Sequence, residues 1–369
     1  MADTSVSFKC PNCSAPLEYA PGADKVTCEY CGTELSIADL EAFYSKKEEQ
    51  AAKAEEARQK KWDTDNAGKE WSEDEAKMLR AFTCSSCGAE IMCDENTIAT
   101  ECCYCGNPTM ISQRYGGTLR PDYVIPFQKT KEDAQEAFKS FYKGKLLLPS
   151  NFVSQNRLEA IQGMYVPFWL FDSDVTATGS YKAKNADTMI VGNNQITEEH
   201  VYQCEREGSM SFKMVPIDGS KKMDDTWMES IGPFDYSTMV PFTTAYLAGY
   251  LADKYDVPAE EAAPRADDLV TQAALDMMDD TVTGYASKTR EDGFVSKDQN
   301  SVSYALAPVW ILTTRYQDKP YTFIMNAQSG KFVGSLPVDN NKCMMYTGGA
   351  FVILLPILYY LSKMLLGAL

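Results

Sequence analysis

The chain has 369 residues, 44% hydrophobic and 11% aromatic, which excludes a disordered chain and supplies one substantial core plus small modules. A net charge of −17 opposes contact with nucleic-acid phosphates or anionic headgroups unless basic residues cluster, and the linear sequence carries no basic cluster. The twelve cysteines would suit a secreted disulfide scaffold, but no signal peptide precedes the first of them, so the reducing cytosol is the expected compartment.

The first element is a ribbon built on Cys10, Cys13, Cys28 and Cys31. Each of these recurs 74 residues later, as Cys84, Cys87, Cys102 and Cys105, with a 14-residue loop between the pairs in both copies. A short strand-like run follows each first pair, Ala15-Pro16-Leu17-Glu18-Tyr19 or Gly88-Ala89-Glu90-Ile91-Met92, and each second pair ends in Cys-Gly at Gly32 and Gly106. Two Cys-x-x-Cys turns place four sulfurs around one tetrahedral ion, so the eight cysteines are expected to hold two structural Zn²⁺ ions. Dithiol redox chemistry is the competing reading, but it needs one pair at a helix start in a βαβ unit rather than two matched pairs. Four thiolates leave no open coordination position for hydrolysis. Cys93, Cys103, Cys204 and Cys343 stand outside the pattern and read as small apolar residues.

Between the ribbons, residues 38–80 hold nine basic and twelve acidic side chains and no proline, the composition of a solvated helix or helix pair. Their alanine-rich apolar positions favour a spacer over a dimerising coiled coil. Ser72 with Glu75 predicts a capping-box start for a short helix.

Further along, helix and strand patterns alternate. Thr130 and Asp133 predict the cap of a helix with Ala134, Ala137, Phe138, Phe141 and Tyr142 on its apolar face and Gly144 past its end. A second helical stripe runs Leu269, Ala273, Met277, flanked by Val270, Ala274 and Met278. Strands are expected over 165–171, 210–214, 309–314 and 321–325, the last meeting a turn before Lys331-Phe332-Val333. A fainter duplication pairs Val124-Ile125-Pro126-Phe127, a helix and 165–170 with Val240-Pro241-Phe242, helices and 307–312. From Tyr346 to Ala368 the only ionisable side chain of the charged classes is Lys363, so one bilayer crossing of ~20 residues is expected, with a buried core helix as the alternative. Lys331 and Lys342 precede it and place the ribbons on the cytoplasmic side.

Catalytic constellations are missing. The single histidine, His200, lies in an exposed-looking Thr197-Glu198-Glu199-His200 stretch, and Gly144-Lys145 lacks the rest of a phosphate loop. Asp172 with Asp174, Asp267-Asp268 and Asp279-Asp280 are carboxylate pairs without calcium-loop spacing, and residues 253–292, with eleven acidic and four basic groups, read as a solvated face. Ribbons often bind nucleic acid, and Tyr30 and Tyr104 could stack on a base. Local charge argues otherwise: residues 1–35 total −3 and residues 80–116 total −2.

Cys84-Ser85-Ser86-Cys87-Gly88-Ala89-Glu90, Cys102 to Pro108, Pro121-Asp122-Tyr123-Val124-Ile125-Pro126-Phe127 and the segments 165–172, 215–223 and 325–334 carry a resemblance across nearly the whole chain. With them the chain resembles a family of uncharacterised bacterial membrane proteins with TFIIB-type double zinc ribbons, some called primosomal replication-helicase-like. The helicase name finds no nucleotide-binding signature here. The resemblance implies an architecture, a ribbon pair on a membrane-attached α+β domain, and no established activity. The expected fold is α+β: a zinc ribbon at 1–37, a charged helical linker at 38–80, a second ribbon at 81–115, a mainly antiparallel α+β domain at 116–342 and a transmembrane helix at 344–369. The expected function is a non-enzymatic, membrane-anchored adaptor facing the cytoplasm, with a protein partner. The alternative is a zinc-ribbon nucleic-acid-binding factor of replication or transcription, which the acidic charge disfavours.

Overall fold

A computed structural model describes residues 8–13, 15–19, 24–59, 61–97, 101–114, 118–155, 160–192, 194–223, 225–317 and 319–366. The expected boundary after the second ribbon and the extreme end of the expected anchor lie outside the described residues. In chain order come β1 (Lys25–Thr27), β2 (Glu34–Ser36), α1 (Ile37–Gln59), α2 (Glu73–Lys77), β3 (Leu79–Cys84), β4 (Glu90–Asp94), β5 (Met110–Arg114) and β6 (Tyr123–Val124). There follow α3 (Lys131–Tyr142), α4 (Ser150–Gln155), β7 (Gln162–Val191), β8 (Asn194–Asp218), α5 (Asp225–Ile231), β9 (Val240–Pro241) and β10 (Leu251–Asp253). The chain ends with α6 (Ala259–Asp280), β11 (Ser287–Tyr316), β12 (Lys319–Asn326), β13 (Phe332–Gly334) and α7 (Asn340–Leu366). The fold is mixed α+β with a large, mainly antiparallel sheet, as the alternating patterns predict.

The chain divides into two compact units, to both of which β7, β8, α6 and β11 contribute residues. The sheet unit comprises Trp62–Asp174, Ser211–Gln272 and Gln299–Leu369. Its strand order is β13-β12-β11-β7-β10-β4-β3-β5. Alternation along the strands sends successive side chains to opposite faces. Met164, Val166, Phe168 and Leu170 of β7 join Ala305, Ala307, Val309 and Ile311 of β11 in one buried cluster, which Met228 and Ile231 of α5 help cover. The other face takes Trp310 and Leu312 with Phe323 and Met325, and α3 lays Ala134 and Phe138 on it. The rings of Phe138 and Phe323 meet edge to face with centroids 4.8 Å apart. Helix α3 starts where predicted: Thr130 and Asp133 form a reciprocal capping box. The same device, Ser72 with Glu75, starts α2, and Arg120 pairs with Glu75 at 3.0 Å.

The ribbon unit comprises Met1–Lys61, Val175–Met210 and Ala273–Asp298. Here β1 and β2 form a separate two-stranded sheet, and α1 follows β2 directly. Helix α1 is not a free spacer: Leu40 is buried, and the Tyr44 hydroxyl exchanges 2.8 Å hydrogen bonds with the backbone N–H and C=O of Lys9. Lys46 forms an ion pair with Glu205.

Three expectations change. Residues 61–72, read as part of a solvated helix, form a non-helical segment in which Trp62 is buried, donating its indole N–H to Asp267 at 2.8 Å. An isolated tryptophan among charges carries no periodicity to reveal that burial. In α6 the buried line is Ala262, Ala266, Val270, Ala274 and Met278, while Leu269 and Met277 are exposed, one position off the predicted stripe. Finally, β7 and β11 each run 30 residues, far beyond their apolar runs, because their distal halves alternate with polar rather than strongly apolar partners. A short strand, a helix, a 30-residue strand and its hairpin partner follow in that sequence twice, as β6, α3, β7, β8 and as β9, α6, β11, β12, with α4 inserted in the first and β10 in the second, and β6 pairs antiparallel with β9.

Helix α7 has 27 residues, and its segment Asn340–Tyr359 has a mean hydropathy of 1.4 with none of it buried. By length and composition it can cross a membrane.

Candidate metal centres

Both predicted cysteine sets converge. In each, one sulfur per residue lies within 4.8 Å of the other three. Cys10 and Cys31 sulfurs are 3.6 Å apart and those of Cys13 and Cys28 are 3.5 Å apart. The second set repeats this arrangement, with 3.6 Å for both Cys84–Cys105 and Cys87–Cys102. A disulfide would need about 2.05 Å. Four thiolates about 2.3 Å from a central zinc would lie about 3.8 Å from one another. The spacing is therefore that of tetrahedral coordination, and two such closed four-cysteine clusters fit zinc-binding modules.

Local backbone chemistry builds the two knuckles alike. Cys28 donates to Thr33 O and Gly32 to Cys28 O, both at 2.9 Å, while Cys102 donates to Asn107 O and Gly106 to Cys102 O, both at 2.8 Å. These turns drive the glycines to φ of 73° and 67°, which a residue with a Cβ adopts only under strain. In the first ribbon, hydrogen bonding from Thr33, whose hydroxyl is 3.1 Å from the sulfur, lowers the Cys31 thiol to about 6. In the second, burial pushes the Cys87 and Cys102 thiols up. A buried thiolate set needs a cation to compensate its charge, so metal uptake there releases protons.

The ribbons differ in their setting. The first stands on its own two-stranded sheet. The second is part of the large sheet: β3 lies between β4 and β5, and β4 pairs with β10 through Ala252↔Met92 and Asp253↔Ile91. Knuckle carbonyls are also held from outside, Cys103 O by the Thr313 hydroxyl at 2.5 Å, Cys105 O by Arg315 Nε at 3.2 Å and Cys87 O by Lys222 Nζ at 3.2 Å.

The two tyrosines part company accordingly. Tyr30 is 76% exposed, whereas Tyr104 is partly buried against the sheet core with its hydroxyl oxygen buried, so it is the less available of the two to stack on a base. Of the surplus cysteines, Cys93, Cys103 and Cys204 are buried and Cys343 is partly exposed. Several of the other candidate groups are engaged structurally. Asp172 accepts from the Met214 N–H, Asp174 from the Ser211 hydroxyl, and Asp279 pairs with Arg290 at 3.1 Å. His200 lies on β8 with its Nε2 3.4 Å from Asp187. Among the described residues, no third group of His, Cys, Asp and Glu converges for a metal.

One polar site was not legible in the sequence. Asp253, at the end of the three-residue β10, is fully buried beside the second ribbon, and burial pushes its carboxyl up to about 7. The Ser220 hydroxyl donates to it at 2.6 Å.

The chain is 32% identical over 353 residues to the protein named "Uncharacterized protein YdjG" of Bacillus subtilis (strain 168), covering 95% of this chain and 96% of that one. It belongs to the YdjG family. No family model matches the chain. No solved structure matches it either. Because the match to YdjG runs over nearly the full length of both chains, the kinship is one of the whole arrangement rather than of a single ribbon or helix.

Proposed function

We propose that this YdjG-family protein is a membrane-anchored, non-enzymatic adaptor whose two TFIIB-type ribbons each hold a structural zinc ion. The observation carrying this reading is the pair of closed four-sulfur clusters: all four positions of a tetrahedral ion are taken by protein, leaving none for substrate or water. Zinc is preferred over other soft metals because a tetrahedral all-thiolate set without an open position is its usual structural site. Helix α7 supports a single-pass anchor, since among the described residues no part of its apolar segment is buried and its length suffices to cross a bilayer. Lys331 and Lys342 before it support a cytoplasmic position for the ribbons, where reducing conditions keep eight thiols available. The partner of the adaptor is a protein, held by the ribbon faces. Protein purified in reductant without oxygen is expected to contain two zinc ions per chain by metal analysis; protein that folds with none would remove the claim.

Exposed Tyr30 favours the alternative, a ribbon that stacks on nucleic-acid bases. The net charge of −17 opposes it, because such binding rests on counterion release by Lys and Arg. Titration with single- and double-stranded DNA and RNA at several salt concentrations separates the two readings. Weak, salt-insensitive binding is expected, and tight binding with a steep salt slope would sink the adaptor assignment.

A further inference from the structure

The loop after α3 reads Lys143-Gly144-Lys145-Leu146-Leu147-Leu148. Its last leucine is buried in the cluster that holds Phe138 and Phe152, but Leu146 is 67% exposed and Leu147 is also exposed. Val338, 57% exposed, faces the same groove of about 390 Å³, which Leu336 and Pro337 help to line. Both segments are fastened to the start of α7. The Asp339 N–H donates to Leu147 O at 2.8 Å, and Lys342 Nζ donates to Leu148 O at 2.7 Å and to Ser150 Oγ at 3.3 Å. The exposed leucines therefore sit where the apolar helix leaves the folded unit.

Charge at this place runs against the rest of the protein. Residues 143–150 and 336–342 carry three lysines, Lys143, Lys145 and Lys342, and a single carboxylate, Asp339, in a chain of net charge −17. That carboxylate caps α7, accepting from the N–H groups of Asn341 and Lys342 at 3.0 and 3.2 Å. The basic cluster is invisible in the linear sequence because almost 200 residues separate Lys145 from Lys342.

Exposed apolar tips next to the exposed Lys143 and Lys145, at the base of a membrane-length helix, have the chemistry of an interfacial contact: the aliphatic ends enter the headgroup boundary and the lysines meet lipid phosphates. We infer that Leu146, Leu147 and Val338 dip into the anionic bilayer that α7 crosses, seating the sheet unit on the membrane surface. This rests on the anchor reading of α7 and adds to it a second attachment, which stops the unit from swinging freely on its helix.

The test places a photoreactive amino acid, one per variant, at positions 146, 338, 353 and 202 of the full chain reconstituted in phosphatidylcholine vesicles with or without phosphatidylglycerol. All four parent residues are exposed, so a bulky replacement is accommodated. Lipid adducts are expected at 353 in both vesicles, and at 146 and 338 with a several-fold higher yield when phosphatidylglycerol is present. Position 202 should give none. Adding Lys143→Glu and Lys145→Glu should lower the yield at 146 to that in phosphatidylcholine while leaving 353 unchanged. Adducts at 353 without adducts at 146 and 338 would overturn this inference alone, as would capture of another protein at 146 in native membranes. Absence of adducts at 353 would overturn the anchor and the inference together.

Discussion

Cys102→Ser is expected to remove one of two bound metal ions and to unfold the sheet unit, whereas Cys28→Ser is expected to remove one metal and leave that unit folded. The asymmetry comes from the setting of otherwise matched sites. Cys102 is buried in the knuckle that feeds β5, and β5 pairs with β3 from Arg80↔Arg114 to Cys84↔Met110. Loss of the ion frees both knuckles at one end of the large sheet and strands Thr313, Arg315 and Lys222, which hold the knuckle carbonyls. Structural zinc binding is worth about 10–16 kcal/mol at neutral pH, and a domain's net stability is about 5–15 kcal/mol. The loss therefore matches or exceeds what holds the unit together. Cys28 supports β1, β2 and their turn, which belong to the ribbon unit and form a sheet of their own. Cys103→Ser is the control, a buried thiol next in sequence but outside the ligand set, for which a cost of about 1–3 kcal/mol and two retained metals are expected. Metal content with urea unfolding followed by tryptophan fluorescence reads all three variants. A Cys102→Ser protein that unfolds at the parent urea concentration would contradict the proposed role of the second ion.

The contrast between the ribbons also shows where the sequence stops informing. Ligand identity is legible because coordination is local: two Cys-x-x-Cys turns and a following glycine define a knuckle without reference to anything else in the chain. Caps are legible for the same reason, as at Thr130 with Asp133 and Ser72 with Glu75. What surrounds a knuckle is not local. Tyr30 and Tyr104 occupy the same position between paired cysteines, yet Tyr104 is partly buried against the sheet core, where β4 pairs with β10 and β11 bonds the knuckle, while Tyr30 stands in solvent. The α6 stripe fails by one position because alanines at 262, 266 and 274 carry little hydrophobic weight yet are buried, while larger Leu269 and Met277 are not. Small residues mark close packing, which a hydrophobicity pattern underweights.

Asp253→Asn is expected to stabilise the sheet unit above neutral pH, with a gain that disappears on acidification. The folded carboxyl titrates near 7 because burial disfavours its charge, while in the unfolded chain it returns to about 3.8. A raised folded value means that the contribution of this group is fully favourable below the unfolded pKa, falls as pH rises, and is lost once pH passes the folded pKa. At pH 8 the parent bears the whole penalty, on the order of 4 kcal/mol for a carboxyl raised from about 3.8 to about 7. Asparagine has no charge to desolvate, and its amide oxygen can accept the Ser220 hydroxyl bond that Asp253 now accepts at 2.6 Å. The difference in urea midpoint between variant and parent, in which the pH dependence of metal binding common to both cancels, should therefore grow from about pH 6 and level off above the folded value near 7. Ser220→Ala should move the opposite way. Its hydroxyl is the strongest influence lowering the Asp253 carboxyl, so its removal raises the folded value further and deepens the loss at pH 8. The cost of that variant is expected at about 1–3 kcal/mol in alkaline solution, shrinking toward pH 6 where the carboxyl is protonated with or without the serine. Relative to the parent, opposite pH trends for the two variants would establish Asp253 as the titrating group. Parallel trends would assign the pH dependence elsewhere and leave Asp253 a neutral member of the core beside the second metal centre.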